Sequence, residues 1–129
     1  MGEQEMKFII PYPPKSVMAR WNKEYSLNSI YTGKHWSKRN ADSEFWHNMV
    51  RSCLLQQAVP NKTFFNPVCI IFRWNDSLDC SNHAYMAKLI EDGLKGYLIK
   101  DDSKKYVKGI SHFFHDGNYI EVEIQEVIE

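Results

Sequence analysis

Between positions 79 and 102 the chain carries Asp79, Lys88, Asp92 and the pair Asp101-Asp102, a set whose types suit phosphodiester chemistry. Carboxylates that converge without a cation repel one another. Mg²⁺ removes that cost because it takes carboxylate oxygens in octahedral geometry and keeps several waters, and Mn²⁺ favours similar ligands. A metal-bound water can attack a phosphodiester, and a lysine can offset charge on the scissile phosphate. Lys88 and Asp92 are four residues apart, so they share one face of a helix. The bland alternative is that the acids are solvated caps around a helix and that Lys88 and Asp92 form an ordinary surface pair.

These residues need elements to position them. Pro67–Trp74 (PVCIIFRW) is β-branched and aromatic and predicts a central strand, broken by Asn75-Asp76-Ser77. Ser81 or Asn82 can cap a helix running to about Lys95, with Met86, Leu89, Ile90 and Leu94 as its buried stripe and Gly96 at its C-cap. Asp79 then sits at a strand-to-helix junction and Asp101-Asp102 at the start of the next strand, a topology that can bring the two acidic spots together at one sheet edge. Tyr106–Phe114 and Tyr119–Val127 predict two strands, with Asp116-Gly117 between them as a hairpin signal. Met6–Tyr12 predicts a strand stopped by prolines. Lys15–Lys34 reads as a long irregular connection, with Ser26–Thr32 extended. A helix starts between Ser37 and Asp42 and runs to about Gln57, with Phe45, Met49, Val50, Cys53 and Leu54 on its apolar stripe; Trp46 and Leu55 fall off it. The order predicts a single α+β domain with a small mixed or antiparallel sheet and helices packed on one face.

The chain of 129 residues, 43% apolar and 14% aromatic, suits one folded domain with its own core. Cys53, Cys69 and Cys80 form no CxxC pair, which argues against a zinc finger and for reduced thiols. No apolar run is long enough to span a membrane, and MGEQEMKFIIPYPP lacks the pattern of a signal peptide, so an intracellular protein is expected. The net charge is zero but unevenly placed. Residues 11–62 hold eight Lys/Arg against three Asp/Glu, and residues 63–129 hold seven against eleven. A basic half beside an acidic half suits a protein that meets a polyanion with one part and a divalent cation with the other.

The segment Asp79-Cys80-Ser81-Asn82, then Lys88, Asp92-Gly93-Leu94 and Asp101-Asp102, resembles the pattern of the RusA family of Holliday-junction resolvases, in which an Asp-x-Asp-Asn element precedes a lysine, an Asp-x-Leu and an Asp-Asp pair. The resemblance extends to the strand before Pro13-Pro14 and to the C-terminal hairpin. It implies a homodimeric, Mg²⁺-dependent endonuclease of the bacterial or phage-infected cytoplasm that cuts four-way DNA junctions in recombination and repair. Carried over, it makes Asp79 and Asp102 metal ligands, with Asp101 and Asp92 assisting, and places Lys88 at the scissile phosphate and Asn82 at the turn. Ser81 departs from the pattern where the family has an acid, and Lys88 follows Asn82 by six residues rather than three, which fits an inserted helical turn at His83–Tyr85. His83 as a ligand or base, or Glu91 as an acid, are the candidates to replace the missing carboxylate, although a lone exposed His is more often a side chain of the cap region.

For DNA contact the sequence offers Arg20, Lys23, Lys34, Lys38 and Arg39, interleaved with Trp21, Tyr25, Tyr31 and Trp36. Cations neutralise phosphates and aromatics stack on bases opened at a branch point, although Trp21 and Trp36 also suit a core beneath a long loop. Two other readings stand beside the nuclease. One is a catalytically impaired binder of branched DNA; the other is an interaction module with no nucleic-acid role.

Overall fold

The computed structural model describes residues 5–128, and every structural statement below concerns these. The chain forms β1 (Glu5–Pro11), α1 (Met18–Tyr25), α2 (Leu27–Tyr31), α3 (Trp36–Gln56), β2 (Val68–Trp74), α4 (Ala84–Leu94), β3 (Val107–Phe114) and β4 (Tyr119–Glu126). Short 3-10 turns at Lys15–Val17 and Cys80–His83 lead into α1 and α4. The sheet is mixed, in the order β1-β4-β2-β3: β4 is antiparallel to both β1 and β2, while β3 is parallel to β2. The α+β class, the mixed sheet and the central place of Val68–Trp74 all agree with the sequence.

Alternation places the core. Phe8 and Ile10 of β1, Ile70, Phe72 and Trp74 of β2, and Ile120, Val122 and Ile124 of β4 are buried, on the sheet face that packs on α3 and α4. On the opposite face Arg73 donates to Glu121 and Glu123, both at 2.7 Å, so a buried carboxylate at Glu123 has its partner. The free edge of β1 is blunted by Gln57, whose side-chain amide accepts from Ile9 N and donates to Ile9 O.

Four local expectations are corrected. Lys15–Lys34 is not irregular: it holds α1 and α2, and Ser26 caps α2 by accepting from Ser29 N. β3 and β4 do not form a hairpin. They flank β2 on opposite sides, and the Asp116-Gly117 turn crosses the end of β2, where Asn75 Nδ2 donates to Gly117 O. The stripe of α3 is rotated: Trp46 is fully buried beside Val50, Cys53 and Leu54, and Phe45 is half exposed. The cause is the aromatic cluster of Tyr12, Trp21, Tyr25 and Trp46, whose rings meet edge-on or tilted at 5.3–5.9 Å. Finally, neither Ser81 nor Asn82 caps α4, because the turn at Cys80–His83 intervenes and His83 occupies the N-cap without a side-chain bond.

Two helix ends are fixed by backbone geometry. Ala58, with φ of 56°, closes α3, with Val59 N donating to Leu54 O and Ala58 N to Leu55 O. At the end of α4, Arg51 donates to the carbonyls of Gly93 and Lys95, and Gly96 follows at φ of 79°.

Candidate functional site

The parallel crossover from β2 through α4 to β3 decides where the candidate residues fall. In such a unit the helix leaves one end of its first strand and returns to the opposite end of the next. Asp79 therefore lies five residues before α4, and Asp101-Asp102 follow its far end. The 11 residues of α4 span about 16 Å at the usual helical rise. The candidate residues fall into two contact groups, one around Lys88 and Asp102 and one at the turn that carries Asp79.

The first group gathers around Lys88. Its ammonium hydrogen-bonds Asp102 Oδ2 and lies 3.2 Å from Asp92 and 3.8 Å from Glu91. Lys95 Nζ adds contacts at 3.2 Å to Asp92 and 3.4 Å to Asp102. Three carboxylates thus meet two ammonium groups. The hydrogen bond from Lys88 holds the Asp102 carboxyl down at about 2, so this pair persists well into acid. Burial instead pushes the Glu91 carboxyl up, against the pull of Lys88; Glu91 is buried and no described residue donates a hydrogen bond to it. The spacing argument placed Lys88 beside Asp92, and the fold does so. Asp101 is exposed next to this cluster in sequence.

The second group lies at the turn before α4. Asp79, Ser81 and Asn82 line a shallow cleft of about 330 Å³, faced by Asn28 and Tyr31 of α2. Asn82 Oδ1 accepts from Asn28 N at 3.0 Å, so Asn82 ties the turn to the start of α2. None of the contacts around Lys88 involves Asp79. Among the described residues no three His, Cys, Asp or Glu side chains are arranged about a common point as metal ligands. The donor chemistry of Asp92 and Asp102 suits a hard cation, with Lys88 and Lys95 as their counter-ions in this arrangement.

His83 is not an exposed side chain of the cap region. It is fully buried, stacked on Trp74 at 4.2 Å, with Nε2 donating to Asp76 Oδ1 at 2.7 Å and Nδ1 donating to Cys80 O at 3.1 Å. Both ring nitrogens lie within hydrogen-bond distance of oxygen atoms, so the ring is held from two sides. Asp76 also accepts from Tyr12 OH and from Leu78 N. The neighbouring His112 accepts from Trp74 Nε1, and burial, then the charge of His83, push its pKa down, as a neutral acceptor requires. The pair fastens β1, the end of β2 and the turn carrying Asp79 to one another. Sequence reasoning passed over Asp76 as a strand breaker, although an Asp followed two residues later by a free amide is a turn signal.

The basic candidates separate as well. Lys34 is a structural cation: its ammonium lies 2.5 Å from Asp42, donates to Glu24 O, and stands over the rings of Tyr25 and Tyr85. Arg20, Lys23, Lys38 and Arg39 are exposed, and no ion pair among the described residues involves them. Of the aromatics, Trp21 and Tyr25 belong to the core cluster, whereas Tyr31 and Trp36 are exposed. Trp36 begins α3, whose N-cap is His35, its side chain accepting from Ser37 N.

No protein-family model matches the sequence, and no curated protein is similar enough to count as a relative. No helix among the described residues is long and apolar enough to cross a membrane.

Proposed function

We propose that this chain acts on branched DNA as a divalent-metal-dependent endonuclease of four-way junctions, working as a homodimer. One observation carries the reading: Lys88, Asp92 and Asp102, which the resemblance names as parts of one site, meet through α4 and the segment before β3. The exposed cations of α1 and α3 support a polyanionic substrate. Asp102 and Asp92 would hold Mg²⁺ or Mn²⁺, which when bound supplies a water acidic enough to act as nucleophile at neutral pH. Lys88 would then keep its ammonium beside the scissile phosphate, and its surroundings favour a protonated lysine, since burial, which lowers its pKa, is outweighed by its hydrogen bond to Asp102 and the nearby Asp92 carboxylate.

Cleavage of a synthetic four-way junction across a Mg²⁺ and Mn²⁺ series tests this. Wild-type protein should cut, and Asp102→Asn should abolish cutting while leaving junction binding intact. Binding without cutting at any metal concentration would leave the second reading, a branched-DNA binder with impaired catalysis. Two observations favour that second reading: Ser81 carries no charge, and Asp79 makes no contact with the Lys88 cluster. Ser81→Asp discriminates, because it restores an acid beside Asp79. Failure to bind junction and duplex alike at low salt would leave an interaction module with no nucleic-acid role.

A further inference from the structure

Helix α2 stands between two clefts. On one side is the shallow cleft of Asp79, Ser81 and Asn82, and on the other an open cleft of about 530 Å³ between α1, the turn after α2 and the start of α3. Arg20, Lys23 and Lys38 line this larger cleft with Lys34, and Glu24 is its one acid. The charge of Lys34 is answered by Asp42, so three exposed cations remain to face the cleft.

Two aromatic rings border the same region. Tyr31, 78% exposed, ends α2 and forms part of the smaller cleft; Trp36, 62% exposed, begins α3 with its ring 5.6 Å from that of His35, which lines the larger cleft. Trp46 and Trp74 are fully buried and Trp21 packs in the core, which leaves Trp36 as the exposed tryptophan. Flat rings beside unpaired cations suit a strand whose bases are accessible. A duplex offers phosphates but hides its base faces, whereas an unpaired nucleotide offers both.

We propose that the cleft between α1 and α3 binds a single-stranded DNA segment next to a branch, its phosphates on Arg20, Lys23 and Lys38 and one unpaired base stacked on Trp36. A strand so bound runs past Tyr31 toward the turn of Asp79 and Asn82. The inference rests on the proposed action on branched DNA and specifies which part of that substrate this cleft takes.

Intrinsic tryptophan fluorescence reads the event, because only Trp36 is exposed to quenching by a base. Titration with an oligo-dT of about ten nucleotides should quench it, and a blunt duplex of equal length should quench it far less. Trp36→Phe should silence the signal yet keep affinity, measured by anisotropy of a labelled strand. Trp36→Ala should weaken single-strand binding roughly 5- to 150-fold, the range for loss of stacking on one base. Three neutralised phosphates predict a log–log salt slope of roughly −2. Phe65→Ala, at an exposed ring in a separate groove with Met6 and Glu126, should change nothing. Normal junction binding with no effect of Trp36→Ala on single-strand affinity would overturn this assignment and leave the action on branched DNA standing. Loss of all DNA binding in the wild type would overturn both.

Discussion

Replacing Asp76 with Ala should destabilise the fold more than any exposed-charge substitution. The carboxylate is fully buried and accepts from His83 Nε2 at 2.7 Å, Tyr12 OH at 2.8 Å and Leu78 N at 3.0 Å. Each buried donor left without an acceptor costs about 1–3 kcal/mol. Three partners lose their acceptor and the penalties overlap, so a total of about 3–5 kcal/mol is expected. Burial pushes the Tyr12 phenol far above its ordinary range, so it stays a donor. Urea unfolding of the wild type and Asp76→Ala measures the difference, and a cycle with His83→Ala isolates the coupling. In the double variant the loss should be well short of the sum of the single losses. A cost below about 1 kcal/mol for Asp76→Ala, or strictly additive losses, would refute the buried pair and its role in fastening the Asp79 turn.

Three further outcomes follow from packing and charge. Ala58→Gly should stabilise the fold by roughly 0.5–1 kcal/mol in a urea melt, because Ala58 closes α3 at a positive φ that glycine adopts without strain. Gly93→Ala should destabilise it by about 1 kcal/mol or more even after the gain in helix propensity, because the added Cβ would lie 2.9 Å from Cβ of the fully buried Val50. Glu91→Gln should raise stability near pH 7 and flatten its pH dependence. Burial raises the Glu91 carboxyl in the folded state, so its favourable contribution is complete below the ordinary carboxylate range and is lost as pH rises through the raised value; unfolding midpoints at pH 4 and pH 7 for both proteins check this.

Much of the fold was legible because its signals are local. The alternation in Val68–Trp74 and Tyr119–Glu126, the stripe of α4 and the glycine after it all appear where the pattern puts them. What was not legible depends on long-range partners. The eight and five residues of α1 and α2 are too short for periodicity to show, and their order comes from Trp21 and Tyr25 packing on Trp46. Asp116-Gly117 signals a turn truly, but a turn does not record whether its strands pair or enclose a third. The phase of α3 follows Trp46 rather than Phe45 because the aromatic cluster sits on that side. At the candidate site, the four-residue step from Lys88 to Asp92 was readable, whereas the contact of Lys88 with Asp102 depends on how the chain returns after α4. Lys34 looked like a surface cation, and only the fold brings Asp42 and the Glu24 carbonyl to it.

The central claim, that the chain acts on branched DNA, is tested most directly by competition binding of a labelled four-way junction against unlabelled junction and duplex of the same length and composition, at about 150 mM salt. The account predicts that the junction competes at much lower concentration than the duplex, with Lys23→Ala and Lys38→Ala weakening junction binding. Equal competition by both, or no binding to either, would contradict it.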